Sequence, residues 1–439
     1  MNTCSSDLYE KEEICMRIKL KNIAKIIEAD INMNGISIIA GNNNIGKSTI
    51  LKSIYVAVNT FRNSNEKILN EHKRSLYSII LRFDQYFDDN GYEYLPRALL
   101  FDFYQEISEN IIFLSESKDR FLEIKKCFHK TLANYESFLQ NEGIYSDKFL
   151  NPLYDKMEEV FKRSKETMLK FIGDKYIMST FNNQINFMSD ISLASIEIHS
   201  VNGDNVIKIR DHKIEKMTFN SVNEPDAIYL PTFSILDMVN RNNRSHIGML
   251  YSPEEVIRSY LQDISNSNRT FEEYIEIESN MKTVKEILDD VVNGNLRMNN
   301  NGSIIYDDND LDISVSMGNV ASGIKNFLLI KKLVENGFLR KNSILLIDEP
   351  ETNLHPDWQL MFAEILVLMY KNMGVVSVVN SHSPYFIRAL EVMMADYGIK
   401  DKGNFYLMKE TEKNRYITEN VTKNTESIYE ILYKPLENL

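Results

Sequence analysis

Short apolar runs gather near both ends of the chain, and apolar residues recur at helical spacing between them. Met16–Leu20 and Ile36–Ala40 are two such runs, with Asn34-Gly35 as a turn signal between them and a glycine-rich loop directly after the second. This pattern predicts strand, turn, strand, loop. Ile50–Val58 then has helical spacing and few breakers, which predicts the helix that a phosphate-binding loop opens.

From about residue 61 to residue 190 the pattern is helical. Phe121, Ile124, Phe128, Leu132, Tyr135 and Leu139 recur at intervals of three and four. Gly143, Pro152 and Gly173 interrupt the heptads, so the pattern predicts a compact helical insertion rather than a long coiled coil. Strand patterns return at Ala194–His199, Val206–Arg210 and Ala227–Leu230, the last ending at Pro231, and are expected to rejoin the core sheet. A second helical stretch begins at Pro253, breaks at the polar loop Asp263–Arg269 and resumes over Phe271–Val292.

The remainder alternates. Strands are expected at Asp312–Ser316, Ser343–Ile347, Val375–Val379, Asn404–Met408 and Arg415–Thr418, with helices from Ala321 and Trp358. The division that follows is an N-terminal lobe at 1–60, a helical insertion at 61–190, a return to the sheet at 191–232, a second helical insertion at 233–300 and a C-terminal lobe at 301–439.

Composition narrows the class. The 439 residues are 43% hydrophobic, enough for a large core. No stretch approaches the roughly 20 apolar residues of a membrane span, and Met1–Lys11 lacks the apolar core of a signal peptide, so a cytoplasmic address is expected. Cys4, Cys15 and Cys127 form no CxxC pair, which supports neither zinc ligation nor a disulfide framework. A formal charge of −13 argues against a surface basic throughout, and leaves DNA as a partner only through a local patch.

The chemistry concentrates in four places. Gly41-Asn42-Asn43-Asn44-Ile45-Gly46-Lys47-Ser48-Thr49 satisfies G-x-x-x-x-G-K-[ST], the loop whose backbone N–H groups wrap phosphate oxygens. Asn42, Asn44, Gly46, Lys47, Ser48 and Thr49 are the expected nucleotide contacts: Lys47 against the β and γ phosphates, Ser48 on Mg²⁺, Thr49 near the α phosphate. Second, Ser343–Ile347 is an apolar strand ending in Asp348-Glu349-Pro350. A run of that kind alone is more often a strand end with a solvated turn. Paired with the phosphate loop it reads as a buried strand beside it, with Asp348 on Mg²⁺ and Glu349 as the base that orients the attacking water.

Third, Val375–Val379 runs into Asn380-Ser381-His382-Ser383-Pro384, and an imidazole at a strand's C-terminal edge can reach the γ phosphate. Alone, His382 would be an ordinary polar residue there. His355, in Thr352–Pro356, divides between a subunit contact and a turn residue. Fourth, Ser322-Gly323-Ile324-Lys325 opens a helix, where Ser322 is either a simple N-cap or, with Gly323, part of a second subunit's ATP site.

Taken in order, "IIAGNNNIGKST", "NVASGIKNFLLIKKL", "LLIDEPETNLHPDWQ" and "VVNSHSPYFIRALE" resemble the ABC-type ATPase family that includes RecF, the OLD proteins and the SMC heads. The resemblance covers both ends of the chain and not its middle. It implies an α/β P-loop NTPase fold, an ABC-type head with mixed β-sheets and helical insertions. It further implies a Walker A loop, a signature helix at Ser322–Lys325, a Walker B strand ending at Asp348, catalytic Glu349, a D-loop at Thr352–His355 and a switch at His382. The implied cofactors are ATP and Mg²⁺, and the implied assembly is a head-to-head homodimer or higher homo-oligomer.

Ile324 and Lys325 stand where the transporter signature LSGGQ has Gly and Gln, which disfavours a membrane transporter. OLD-type members carry a nuclease domain after the switch histidine. Here 57 residues follow it (439 − 382) without an Asp-x-Asp pair, so a built-in nuclease of that kind is not expected. The layout is most similar to stand-alone ATPases of bacterial anti-phage systems, such as PtuA of Septu or AriA of PARIS. That likeness implies a defence regulator working with a separate nuclease or toxin; a RecF-like DNA clamp and an ATP-gated scaffold that does not hydrolyse are the alternatives.

Overall fold

The computed structural model describes residues 16–89, 97–134, 147–186, 193–201, 203–220, 225–231, 235–241, 251–262, 271–299 and 302–434. The chain divides into two compact units, Met1–Arg62 with Gly173–Leu439, and Asn63–Ile172.

The first unit is built on β1 (Met16–Ile23), β2 (Ile26–Met33), β3 (Ile36–Ala40), β4 (Ala194–Ser200), β5 (Gly203–Arg210), β6 (Lys213–Phe219), β7 (Ala227–Leu230), β11 (Ile344–Asp348), β12 (Val376–Ser381), β13 (Gly403–Glu412) and β14 (Arg415–Asn420). These form one sheet in the order β6-β5-β4-β1-β2-β14-β13-β3-β12-β11-β7. A separate sheet holds β10-β9-β8, from β8 (Gly294–Met298), β9 (Ile304–Asp308) and β10 (Ile313–Ser316).

The sheet changes character along its width. β3, β11 and β12 pair in parallel and are buried at every position, because helices cover both faces, and so they read as unbroken apolar runs. At the other end β1, β4, β5 and β6 pair antiparallel, and β5 alternates buried and solvated positions. The helices Pro253–Gln262 and Phe271–Val291 contribute Ile257, Leu261, Val284 and Leu288 to the same core as Ile36, Ile38 and Leu345. The second unit is helical, with its own core around Phe103, Phe128, Tyr154 and Met157.

Several expectations need correction. β2 lies within a span read as a turn: its two acidic residues break the apolar run, while Ile26 and the alternate positions Ala29, Ile31 and Met33 are buried against the core. Pro152 does not end a helix but sits inside Asp147–Lys162, where burial of Leu153, Tyr154, Met157 and Phe161 outweighs the one backbone bond it forfeits. Gly173 is likewise inside the helix Lys165–Phe181, and a Cβ there would collide with Ile214 on β6, so the residue serves close packing rather than a break. The pattern positions Tyr135, Leu139 and Gly143, the loop Asp263–Arg269, and Cys4 and Cys15 lie outside the described residues. Among those described, no helix is long and apolar enough to cross a membrane.

Candidate active site

Strand register assembles the site. Ala40, the last residue of β3, pairs with Ser381, and Asp348, the last of β11, pairs with Asn380. The segments leaving β3, β12 and β11 therefore emerge at one edge of the parallel sheet, which is where α/β folds bind ligands. In the sheet, β12 lies between β11 and β3, the strand that feeds the phosphate loop. With strands spaced ~4.8 Å apart, the acidic strand is one position further away, and the segment carrying His382 falls between loop and carboxylates.

The loop Gly41–Gly46 turns tightly into the helix Lys47–Phe61. Gly46 caps that helix at φ 99° and Asn44 has φ 64°. Left-handed turns of this kind suit glycine and asparagine. Lys25 braces the outer side, its Nζ donating to Asn44 O at 2.8 Å and to Asn44 Oδ1 at 3.0 Å. Asn42 and Asn44 are exposed, while Ser48 and Thr49 are half-buried in the first turn of the helix. Lys47 is 5% exposed, and its Nζ donates to Gly41 O at 2.8 Å and Asn42 O at 2.7 Å. Burial pulls its pKa below the ordinary lysine value, against the opposing pull of Glu349, Asp348 and Glu351.

Across the edge, both oxygens of Asp348 are held. Asn380 Nδ2 donates to Oδ1 at 3.0 Å and the Tyr229 hydroxyl donates to Oδ2 at 3.3 Å. Burial, reinforced by the Asp348 carboxylate, keeps the Tyr229 phenol well above its usual pKa, so it remains a donor. Glu349 has φ 51°, a left-handed conformation that costs a residue with a Cβ about 1 kcal/mol or more. Its N–H donates to Asn380 O at 3.0 Å and its carbonyl accepts Thr352 N–H at 3.1 Å, which fixes the turn. His382 Nδ1 lies 3.3 Å from Glu349 Oε1, an ion-pair distance without hydrogen-bond alignment.

Ser322 is exposed and Gly323 buried at the start of the helix Ser322–Glu335. Ser322 is not the N-cap: Ala321 occupies that place, without a side-chain bond. A Cβ on Gly323 would lie 2.8 Å from Asn353 O, so this helix start packs directly on Thr352–His355. Lys325 turns inward, its Nζ donating to Asp237 Oδ1 at 2.8 Å and Oδ2 at 2.9 Å. His355 caps the helix Pro356–Met373, its Nδ1 accepting Asp357 N–H at 3.4 Å, which is the turn-residue role.

Lys47, Asp348, Glu349 and His382 thus share one sheet edge, whereas Ser322 and Gly323 stand on a neighbouring helix. Sequence reasoning did not single out Lys25, Tyr229, Asn380 or Glu351; of these only Glu351 and Asn380 lie inside the motif wording that drew attention.

A family model described as AAA ATPase domain, AAA_15, matches residues 16–387. This chain belongs to that family. Its fold is that of an α/β P-loop ATPase domain, with a mixed sheet covered by helices. A curated relative, "Endonuclease GajA" of Bacillus cereus (strain HuB5-5), is 22% identical over 400 residues, covering 80% of this chain and 52% of GajA. The chain therefore spans about half the length of that relative. Among solved structures, an SmcHead bound to the C-winged helix domain of ScpA is 9% identical, with 94% of this chain and 99% of that one covered and a TM-score of 0.43. The SMC head domain from Thermotoga maritima is 8% identical, covers 93% and 99%, and has a TM-score of 0.35.

Proposed function

We propose that the chain binds ATP with Mg²⁺ at Gly41–Thr49 and hydrolyses it with Glu349 and His382. The observation that carries this reading is the β3-β12-β11 register, which gathers a buried lysine, a buried carboxylate and the Glu349–His382 pair at one edge. The residues fit a magnesium-bound nucleotide. Among the described residues, Lys47's buried ammonium meets two carbonyl oxygens and no carboxylate, leaving a cation set for an anionic group, and Asn380 Oδ1 is buried without a donor. Ser48 and Asp348 are the ligands proposed for the metal, which when bound offsets charge on the transferred phosphoryl group.

Each side chain then has a task. Lys47 contacts the β and γ phosphates, with Asn42, Asn44, Gly46 and Thr49 wrapping the loop around them. Glu349 accepts a proton from the attacking water, and His382, facing it at 3.3 Å, contacts the γ phosphate. Ser322 and Gly323, at the start of the helix Ser322–Glu335, complete the site of a second copy in a head-to-head dimer.

We further propose that this ATPase is the regulatory component of a bacterial anti-phage system, acting in the cytoplasm on a separate effector. The motif wording supports the defence role, and similarity to a protein named an endonuclease favours a nuclease over a toxin as the output. That same likeness keeps a DNA clamp as the second reading.

The test is phosphate release by the purified chain beside Lys47→Ala and Glu349→Gln, with solution mass recorded with and without ATP. Loss of release in both variants and ATP-dependent association are expected. Release unchanged in Glu349→Gln overturns the assignment. Stimulation by duplex DNA, lost at high salt, selects the clamp, and tight ATP binding without turnover selects the gated scaffold.

A further inference from the structure

Glu351 takes no part in the roles above, yet a whole turn is hung on it. Its Oε1 accepts the Ser381 hydroxyl at 2.7 Å, the His382 N–H at 3.0 Å and the Ser383 N–H at 3.2 Å. The side chain is 5% exposed, and its second oxygen is buried without a donor among the described residues. Ser381 Oγ also accepts Ser383 N–H at 3.1 Å, which closes the turn on itself. Bonds to an ionised acceptor are shorter and stronger than neutral ones, so a buried carboxylate with three donors from consecutive residues fixes that turn.

The same carboxylate belongs to the segment that carries Glu349. Glu351 follows it by two residues, and its carbonyl accepts Leu354 N–H at 3.1 Å, which ties it into the turn packed beneath Gly323. His382 Nδ1 stands 3.5 Å from Glu351 Oε1 and 3.3 Å from Glu349 Oε1. The imidazole is therefore placed against Glu349 by a group that serves neither the nucleotide nor the water.

We infer that Glu351 is a positioning residue: its carboxylate grips the Ser381–Ser383 turn and thereby sets the His382 imidazole opposite Glu349. The inference rests on the reading of Glu349 and His382 as the hydrolytic pair. A displacement near 1 Å in such a pair lowers turnover by about a hundredfold, and that is the effect expected when the grip is released.

The experiment uses the full chain with Glu351→Ala, Glu351→Gln, His382→Ala and the double variant Glu351→Ala/His382→Ala. Glu351→Ala is expected to lower kcat about a hundredfold with KM for ATP within about threefold of wild type. In Glu351→Gln the amide oxygen accepts the same donors, so kcat is expected within about tenfold of wild type. The double variant is expected to be no slower than His382→Ala, because Glu351 acts through the imidazole. A kcat unchanged in Glu351→Ala, or a double variant that adds its full factor to His382→Ala, overturns the proposal.

A second readout does not require turnover. The His382 imidazole resonance, assigned by its loss in His382→Ala, is expected to move in Glu351→Ala and to stay near its native position in Glu351→Gln; a resonance unmoved in both overturns the positioning role. Should Glu351→Ala not fold, Ser381→Ala removes one of the three donors and is expected to move the same resonance; no movement there also counts against the proposal. Phosphate release that persists in Glu349→Gln instead strikes the hydrolysis reading, independently of where the resonance lies.

Discussion

Asn380 holds Asp348 by its side chain and Glu349 by its main chain: Nδ2 donates to Asp348 Oδ1 at 3.0 Å, and its carbonyl accepts the Glu349 N–H at 3.0 Å. Two successive carboxylates are thus indexed to one residue on the neighbouring strand. Asn380→Ala removes the first bond and leaves the second. Losing a hydrogen bond to a buried carboxylate costs about 1–3 kcal/mol, and the Asp348 carboxylate gains freedom to rotate. The expected outcome is a lower denaturation midpoint together with a higher Mg²⁺ concentration for half-maximal phosphate release. A Mg²⁺ requirement identical to wild type would show that Tyr229 alone suffices to orient Asp348.

The contact beneath Gly323 makes a separate prediction. A methyl group at that position would sit 2.8 Å from the backbone oxygen Asn353 O, closer than real Cβ atoms approach, and 3.1 Å from Leu354 Cδ2, a tight contact. Gly323→Ala is therefore expected to destabilise the chain by about 1–3 kcal/mol through overpacking, although alanine is the better helix former. Thermal unfolding measures it. A midpoint raised by the substitution would mean that the helix start yields freely and that the contact is loose.

The linear order of elements was legible because each depends on neighbours in sequence. β3, β11 and β12 announce themselves as apolar runs since both faces are covered, and the glycine-rich loop carries its own turn chemistry. β2 was not legible: Glu28 and Asp30 face solvent or pair outward, and only the fold shows that the intervening residues are buried. Pro152 misled for the converse reason, since its penalty is local and its compensation is tertiary.

In the site, Lys47, Asp348, Glu349 and His382 were readable as residue types at motif spacing. The groups that orient them were not. Tyr229 reaches Asp348 across 119 positions and Ser381 reaches Glu351 across 30, and no local pattern encodes such bonds. The placement of β12 between β3 and β11 is likewise a matter of sheet order, which the alternation of strand and helix leaves open.

Lys325 ends the signature span Ser322–Lys325 that the motif resemblance implies, and its side chain, 5% exposed, is bound by Asp237, which is 33% exposed. Asp237→Ala leaves a buried cation without its carboxylate, and about 1–3 kcal/mol of stability is expected to be lost, less than for a fully buried pair because water reaches the vacated position. Lys325→Met with Asp237→Ala removes both charges and is expected to recover most of that loss. Denaturant midpoints of the two single variants and the double close the cycle. A coupling indistinguishable from zero would reduce the pair to an exposed contact without structural weight.

Lys47 makes the pH prediction. Burial lowers its folded pKa below the ordinary 10.5, chiefly because desolvation opposes the charged form. Between that lowered value and 10.5 the unfolded chain holds a proton that the folded chain has released, so this lysine's contribution to stability rises with pH through the window. Below the window both states are protonated and the burial penalty is present in full. Lys47→Met keeps the apolar stem and deletes the charge. It is therefore expected to be more stable than wild type at pH 7, with the difference shrinking as pH rises toward 10.5. Because the comparison is between two chains differing at one position, other titrations largely cancel, and denaturant midpoints at successive pH values read it directly. MgATP should reverse the order at neutral pH by stabilising wild type and not Lys47→Met. A variant less stable at pH 7, by an amount that does not change with pH, would mean that the ammonium's two carbonyl bonds outweigh its desolvation and that the loop is built around the lysine rather than around its ligand.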